Sequence, residues 1–294
     1  MVRWPNLLMT GIGVISIWYF QIFHFTHGQS IHVDFSGILL LSLALIMIMG
    51  AGYIVNDIFD VEIDMINKPS KISIGKYYTT KEGWYSYFIL NFIGIAISIY
   101  AAYTYRKTSL LLFLPIGISM LYIYSKWLKK RAPWGNILIS ALCALVLWLP
   151  AFGEWDLVIG NTILFNNFFA CSLVGGFCML MRELVKSQED FNGDKLHDIR
   201  TLPVILGMDT VRKILIVLNL IIISFITCIL FYFDVPMLST LVIFILLVLP
   251  LLALHLIFTL KILSTRYTEQ SKIVKLIMAA GMMILPWALS NFSA

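Results

Sequence analysis

Apolar positions fall in long continuous runs separated by short polar stretches, with no residue-by-residue alternation inside the runs. A continuous apolar run of about 20 residues is what a helix needs to cross a hydrocarbon core. Nine spans are expected, at residues 7–25, 36–56, 85–104, 109–125, 136–152, 162–181, 213–233, 237–260 and 273–290. Pro115, Pro150, Pro250 and Pro286 fall within them. Membrane helices tolerate proline where neighbours satisfy the freed carbonyls. A transmembrane barrel would show ten-residue alternating segments, and none occurs. The expected fold is all-α, a polytopic membrane protein with nine transmembrane helices.

Composition sharpens this reading. Of 294 residues, 60% are hydrophobic and 13% charged, with a mean hydropathy of +0.89. Soluble domains average about a quarter charged residues, and disordered chains are poor in apolar ones. Both classes are excluded. The net charge of +5 would suggest nucleic acid in a soluble protein; here it reads as basic loops, and no nucleic-acid partner is expected. With the N-terminus inside, 19 of the 21 Lys and Arg fall on one side, leaving only Arg106 and Lys107 on the other. The positive-inside rule makes the basic side cytoplasmic, with the inner membrane of the cell as the expected location. Lys129, Lys130 and Arg131 read as anchors of this kind. Cys143, Cys171, Cys178 and Cys228 lie in apolar runs without CxxC spacing and read as core residues. The first apolar run continues into Trp18 and Tyr19 with no small-residue cleavage site. It reads as a retained span, and residues 1–294 as one integral membrane domain.

The scarce acids are concentrated. Eleven of sixteen lie in two cytoplasmic segments, one beginning at Asp57 and one at Glu183. If the second span continues as a helix, Asp57, Asp60 and Asp64 recur at i, i+3 and i+7 and share a face, with Asn56 one turn from Asp60. In the other segment Asp190, Asp194 and Asp198 recur at i, i+4 and i+8, preceded by Arg182, Glu183 and Lys186. Carboxylates gathered on one face repel unless a cation sits among them. Hard oxygen donors without histidine or thiolate select magnesium, which keeps its waters and takes substrate phosphates as ligands. Each segment is followed by a basic residue, a proline (Pro69, Pro203), a glycine (Gly75, Gly207) and a further span. Such weak internal symmetry suggests two pseudo-repeated halves with a site between them. Two facing clusters could clamp a diphosphate through magnesium, with nearby Lys and Arg taking the remaining charge. Tyr122 and Lys126, one turn apart at a cytoplasmic helix end, are candidates for such a role. Lys126 fits a snorkelling lysine equally well.

Asn56-Asp57-x-x-Asp60-x-x-x-Asp64, Tyr122-x-x-x-Lys126 and Asp190-x-x-x-Asp194 resemble, in order, the three signatures of the UbiA superfamily of intramembrane prenyltransferases. The resemblance implies a nine-helix bundle around a central cavity open to lipid, with Mg²⁺ and the diphosphate of an isoprenyl donor held between two aspartate motifs. Asp57, Asp60, Asp64, Asp190 and Asp194 would hold metal, and Tyr122 and Lys126 would approach the diphosphate or the nascent cation. Asn56, Arg182, Glu183, Lys186, Asp198 and Arg200 would line the substrate site. The run Arg182-Glu183-x-x-Lys186, Glu189-Asp190-x-x-Gly193-Asp194, Arg200-Thr201-Leu202-Pro203 is most similar to the digeranylgeranylglyceryl phosphate synthase-like branch. Members of that branch alkylate a glycerol-phosphate ether lipid. After Asn67-Lys68-Pro69 the family usually shows Arg-Pro, whereas Lys71-Ile72 stands here. Lys71, a further substrate-binding candidate, keeps the charge but lacks the bidentate fork of arginine.

The implied reaction transfers an isoprenyl group, geranylgeranyl or similar, from a polyprenyl diphosphate to a lipophilic acceptor in the membrane. A glycerol-phosphate lipid is the first expectation for that acceptor, and an aromatic acid or quinone precursor the alternative. A transporter could also show repeats and acids in broken helices. Its acids would lie near the midplane rather than at helix ends.

Overall fold

A computed structural model of the chain describes residues 3–29, 31–67, 72–261 and 266–290. Helix α1 (Trp4–Trp18) continues into a π-helical turn at Tyr19–Phe23. Then come α2 (Phe35–Phe59), the short α3 (Val61–Asn67), α4 (Thr80–Tyr105) and α5 (Ser109–Lys126). A single 3₁₀ turn, Leu128–Lys130, leads to α6 (Trp134–Val146), followed by the short α7 (Leu149–Gly153) and α8 (Trp155–Gly160). Next are α9 (Thr162–Glu189) and the short α10 (Phe191–Leu196) and α11 (Leu202–Leu206). The chain ends with α12 (Met208–Tyr232), α13 (Met237–Ile243) running through a π-helical stretch into α14 (Leu249–Thr259), and α15 (Tyr267–Ser290).

Among the described residues eight helical segments are long and apolar enough to cross a bilayer. The fifth expected span, 136–152, differs in form. Its helix stops at Val146, and Pro150 opens a new short helix, because proline is best accommodated in a first turn where its missing N–H costs nothing. Eight of the nine expected spans are therefore matched by full-length helices among the described residues, and the fifth corresponds to the shorter apolar helix α6 followed by α7.

Local chemistry sets the helix starts. Asp34 caps α2 by accepting the Gly37 N–H at 2.8 Å, and Thr79 and Glu82 form a capping box at α4. Asn161 accepts the N–H groups of Ile163 and Leu164, both at 3.0 Å, at the start of α9. Each cap satisfies donors a helix cannot satisfy itself.

Packing holds the bundle. Helix α2 lies against α4, and α9 against α6, α12 and α15. Gly94 permits the first of these approaches: a Cβ there would stand 2.8 Å from Ile48 and 3.1 Å from the Ala44 carbonyl oxygen. Within the apolar interior, Asn167 of α9 donates to Gln21 at 2.7 Å, and Gln21 donates to the Pro286 carbonyl of α15 at 2.6 Å. This chain ties three helices together where no water is available. At the far end of the bundle the buried Glu154 accepts the N–H groups of His32 and Val33, both at 2.7 Å. Many outward-facing residues are large and apolar, such as Phe92, Tyr103 and Phe231. That is the surface expected of a chain solvated by lipid.

Candidate active site

Both acidic segments are built alike. Helix α2 ends at Phe59, and Asp60 leaves the helical conformation (φ −103°, ψ 4°) before α3 begins. Helix α9 ends at Glu189, and Asp190 does the same (φ −88°, ψ 2°) before α10. In each, the aspartate four residues on sends its N–H back to the carbonyl of the first, Asp64 to Asp60 at 2.8 Å and Asp194 to Asp190 at 3.0 Å. The expected single helix through Asp57–Asp64 is therefore broken at Asp60, and the structural equivalents are Asp60 with Asp190 and Asp64 with Asp194. Gly75 (φ +89°) and Gly207 (φ +81°) follow in left-handed turns that residues with a Cβ rarely adopt. The short helices α3 and α10 pack against each other, which brings the two segments to one end of the bundle.

Between them opens a central cavity of about 180 Å³ with a mostly apolar wall. Asn56, Asp60, Asp64, Asp190, Arg182, Glu183 and Lys186 all line it. An adjoining space of about 50 Å³ is lined by Asp60, Asp64, Asp190 and Asp194, with Lys129 and Lys186. Asp60 is the most enclosed of the aspartates here, its side chain 2% exposed. Its Oδ2 accepts from Asn56 Nδ2 at 2.7 Å and from Lys129 Nζ, while its buried Oδ1 has no partner among the described residues. Glu183 receives Arg182 at 3.4 Å, Lys186 at 3.7 Å and the Tyr124 hydroxyl at 3.4 Å. Burial, and then the charge of Asp190, push the Asp194 carboxyl up to about 6. Burial pulls the Lys129 ammonium down, but Asp60 beside it, with Asp64 and Asp190, holds it above the ordinary lysine range.

Other expected residues fall elsewhere. Asp57 lies beside the cavity, paired with Arg3 at 3.4 Å. Tyr122 packs edge-on against Phe59, and Lys126 is exposed over the Tyr122 and Trp127 rings. The structure does not bring these two to the cavity; Tyr124 and Lys129 stand there instead. Asp198 and Arg200 are exposed, and the Arg200 backbone forms a single isolated bridge with Arg131. Lys71 lies outside the described residues.

Lys129, read from sequence as an interfacial anchor, is the clearest omission. Helix α5 stops at Lys126, and the 3₁₀ turn swings Lys129 inward. Gly135 holds that turn in place, since a Cβ there would stand 2.6 Å from the Leu128 carbonyl oxygen. The signal available in sequence was the cluster Lys126-Trp127-Leu128-Lys129, in which two lysines three residues apart could not both be surface anchors if the chain turned.

The residues fit a hard divalent cation. The acidic groups supply carboxylate oxygens, and the Asp60 Oδ1 has no partner among the described residues. Among the described residues no three carboxylates converge into a self-sufficient metal cluster. A cation here would take its remaining ligands from phosphate oxygens and water, as magnesium does.

The sequence model of the UbiA prenyltransferase family matches residues 7–283. The digeranylgeranylglyceryl phosphate synthase of Saccharolobus solfataricus is 35% identical over 226 residues, 76% of this chain and 74% of that protein. The synthase of the same name from Korarchaeum cryptofilum is 31% identical over 218 residues, 74% and 70% of the two chains. A solved structure from work on digeranylgeranylglyceryl phosphate synthase in membranes superposes with a TM-score of 0.68, covering 98% of this chain and 95% of the other at 22% identity. A UbiA homologue from Aeropyrum pernix gives a TM-score of 0.72, covering 97% of each chain at 15% identity. At those identities the two structures speak to the fold alone.

Proposed function

This chain belongs to the UbiA prenyltransferase family, and from that premise we propose that it transfers a geranylgeranyl-type group from its diphosphate to a glycerol-phosphate ether lipid, with magnesium. The observation that carries the reading is the pairing of two alike aspartate turns, at Asp60 and Asp190, across one end of an apolar cavity. The acceptor follows from the relatives that match three quarters of the chain. A glyceryl phosphate with two such chains is made by adding the second to a singly alkylated one.

Asp60, Asp64, Asp190 and Asp194 would hold the cation, with Asp57 behind them. When bound, magnesium supplies charge neutralisation of the diphosphate leaving group. Lys129 and Lys186 line both spaces and would meet phosphate oxygens left uncovered. Asn56 orients Asp60 by donating to one oxygen and leaving the other free. The apolar wall excludes water, so the allylic carbon, once its bond to the diphosphate oxygen loosens, meets the acceptor hydroxyl rather than solvent. That hydroxyl oxygen forms the new ether bond and gives up its proton to a basic oxygen of the site. We read residues 1–294 as one such domain, with the aspartate end on the cytoplasmic side by the Lys and Arg asymmetry.

Purified protein with labelled geranylgeranyl diphosphate and a panel of acceptors tests this. Diphosphate release is expected only with a divalent cation, and the product mass should be that of a doubly alkylated glyceryl phosphate. Asp60→Asn with Asp190→Asn should lower turnover by about 10³-fold or more. A product carrying the chain only on an aromatic ring, or undiminished turnover in the double variant, would refute the reading.

A further inference from the structure

The cavity holds more positive charge than the aspartate turns require. Arg3 at the start of α1, Arg182 of α9 and Lys275 of α15 line the central cavity but not the acid-rich space beside it. Lys275 is half-buried, and among the described residues no carboxylate pairs with it. It lines the same cavity as Arg182, so the two cations share one low-dielectric space. Among the described residues Arg182 pairs only with Glu183, which it shares with Lys186 and the Tyr124 hydroxyl. Arg3 pairs with Asp57 at 3.4 Å on one side and stacks over the Tyr53 ring at 5.2 Å on another, and Asn6 donates to the Tyr53 hydroxyl at 3.2 Å. Four helices, α1, α2, α9 and α15, thus deliver two guanidinium groups, an ammonium and neutral hydrogen-bonding groups to one cavity.

Keeping two like charges together at the edge of a low-dielectric cavity is costly, and an anion between them reverses the sign of the interaction. A phosphate monoester carries about −1.5 to −2 at neutral pH and presents three acceptor oxygens. Guanidinium forks suit that geometry. The acid-rich space cannot take such a group without a bridging cation. We propose that Arg3, Arg182 and Lys275 form a binding site for the acceptor's phosphate, separate from the aspartate-flanked space assigned to the donor's diphosphate. The inference rests on the proposed function. It places the acceptor's head group toward α15 and its reacting hydroxyl between the two anions, with Lys186 at the boundary.

Steady-state kinetics on the full chain in detergent or nanodiscs test it, using Lys275→Gln and Lys275→Arg. The substrates are geranylgeranyl diphosphate with a singly alkylated glyceryl phosphate, or with the same lipid lacking phosphate. Calorimetric binding of the phosphate lipid is measured without donor. Lys275→Gln should raise the KM for the phosphate lipid about ten-fold, weaken its binding equally and leave the donor KM within about two-fold. The preference for phosphate over phosphate-free lipid should shrink by the same factor. Lys275→Arg, which keeps the charge, should recover most of each loss, separating recognition from a folding defect. A parallel rise in donor KM, or an unchanged acceptor KM, overturns the site. Lys275-dependent binding without any transfer by the wild type would leave the site standing and overturn the proposed acceptor. Transfer at unaltered acceptor KM in Lys275→Gln would do the reverse.

Discussion

Lys129 and Asp60 are each placed where the other is needed. Asp60 is enclosed, so removing its ammonium partner leaves a buried charge uncompensated, which costs several kcal/mol in comparable pairs. Lys129→Met should therefore lower transfer by at least about 10²-fold and reduce thermal stability as well. Lys126→Met, at an exposed stacked lysine, should change the rate by less than about three-fold. Initial rates and melting curves of the two variants side by side decide this, and equal losses would count against the inward role of Lys129. Asp194 adds a pH dependence. Its carboxyl is raised to about 6, so without cation it is neutral below that pH and charged above it. The folded chain then holds this proton where the unfolded chain has lost it, and apo stability falls as pH rises from about 4 to 6. A divalent cation must displace the same proton. The magnesium needed for half-maximal diphosphate release should rise as pH drops from 7 to 5.5, and Asp194→Asn should flatten that rise while weakening binding throughout.

At the scale of elements, the breaks in helices matter as much as the helices. The turns at Asp60 and Asp190 redirect the chain so that α3 and α10 face each other, which an uninterrupted α2 or α9 could not do. The 3₁₀ turn after α5 performs the same service for Lys129, and Gly135 is its keystone. Gly135→Ala forces a Cβ against backbone rather than a movable side chain. A loss of about 1–3 kcal/mol is expected, with a disproportionate fall in turnover because the displaced turn carries Lys129. A lower melting temperature with unaltered turnover would show that the turn's position is not critical. Away from the site, Asn167→Leu strands Gln21 and should cost about 1–3 kcal/mol in the same melting assay. These breaks explain what a linear reading could see. Continuous apolar runs located the spans, and the spacing of Asp60, Asp64, Asp190 and Asp194 located the acidic end, because both properties are local in sequence. The choice between Lys126 and Lys129 was not local. It depends on where α5 stops and on Gly135, a residue from the next helix, so helical periodicity carried from Tyr122 pointed to the wrong lysine for the cavity wall.

On the scale of the whole molecule, positive charge gathers at the aspartate end, and so do the ionisable groups of the cavity. The far end spends its buried acid on structure, with Glu154 occupied by the N–H groups of His32 and Val33. The cavity thus has one polar mouth and an apolar remainder lined by residues such as Ile48, Phe113 and Met282. In the proposed reaction the two lipids would enter with their heads at the same level and their chains side by side. Their product would then depart with its head group on the side where both substrates began. The reaction would build lipid into a single leaflet, and supplying the opposite leaflet would fall to a separate catalyst of lipid flip-flop.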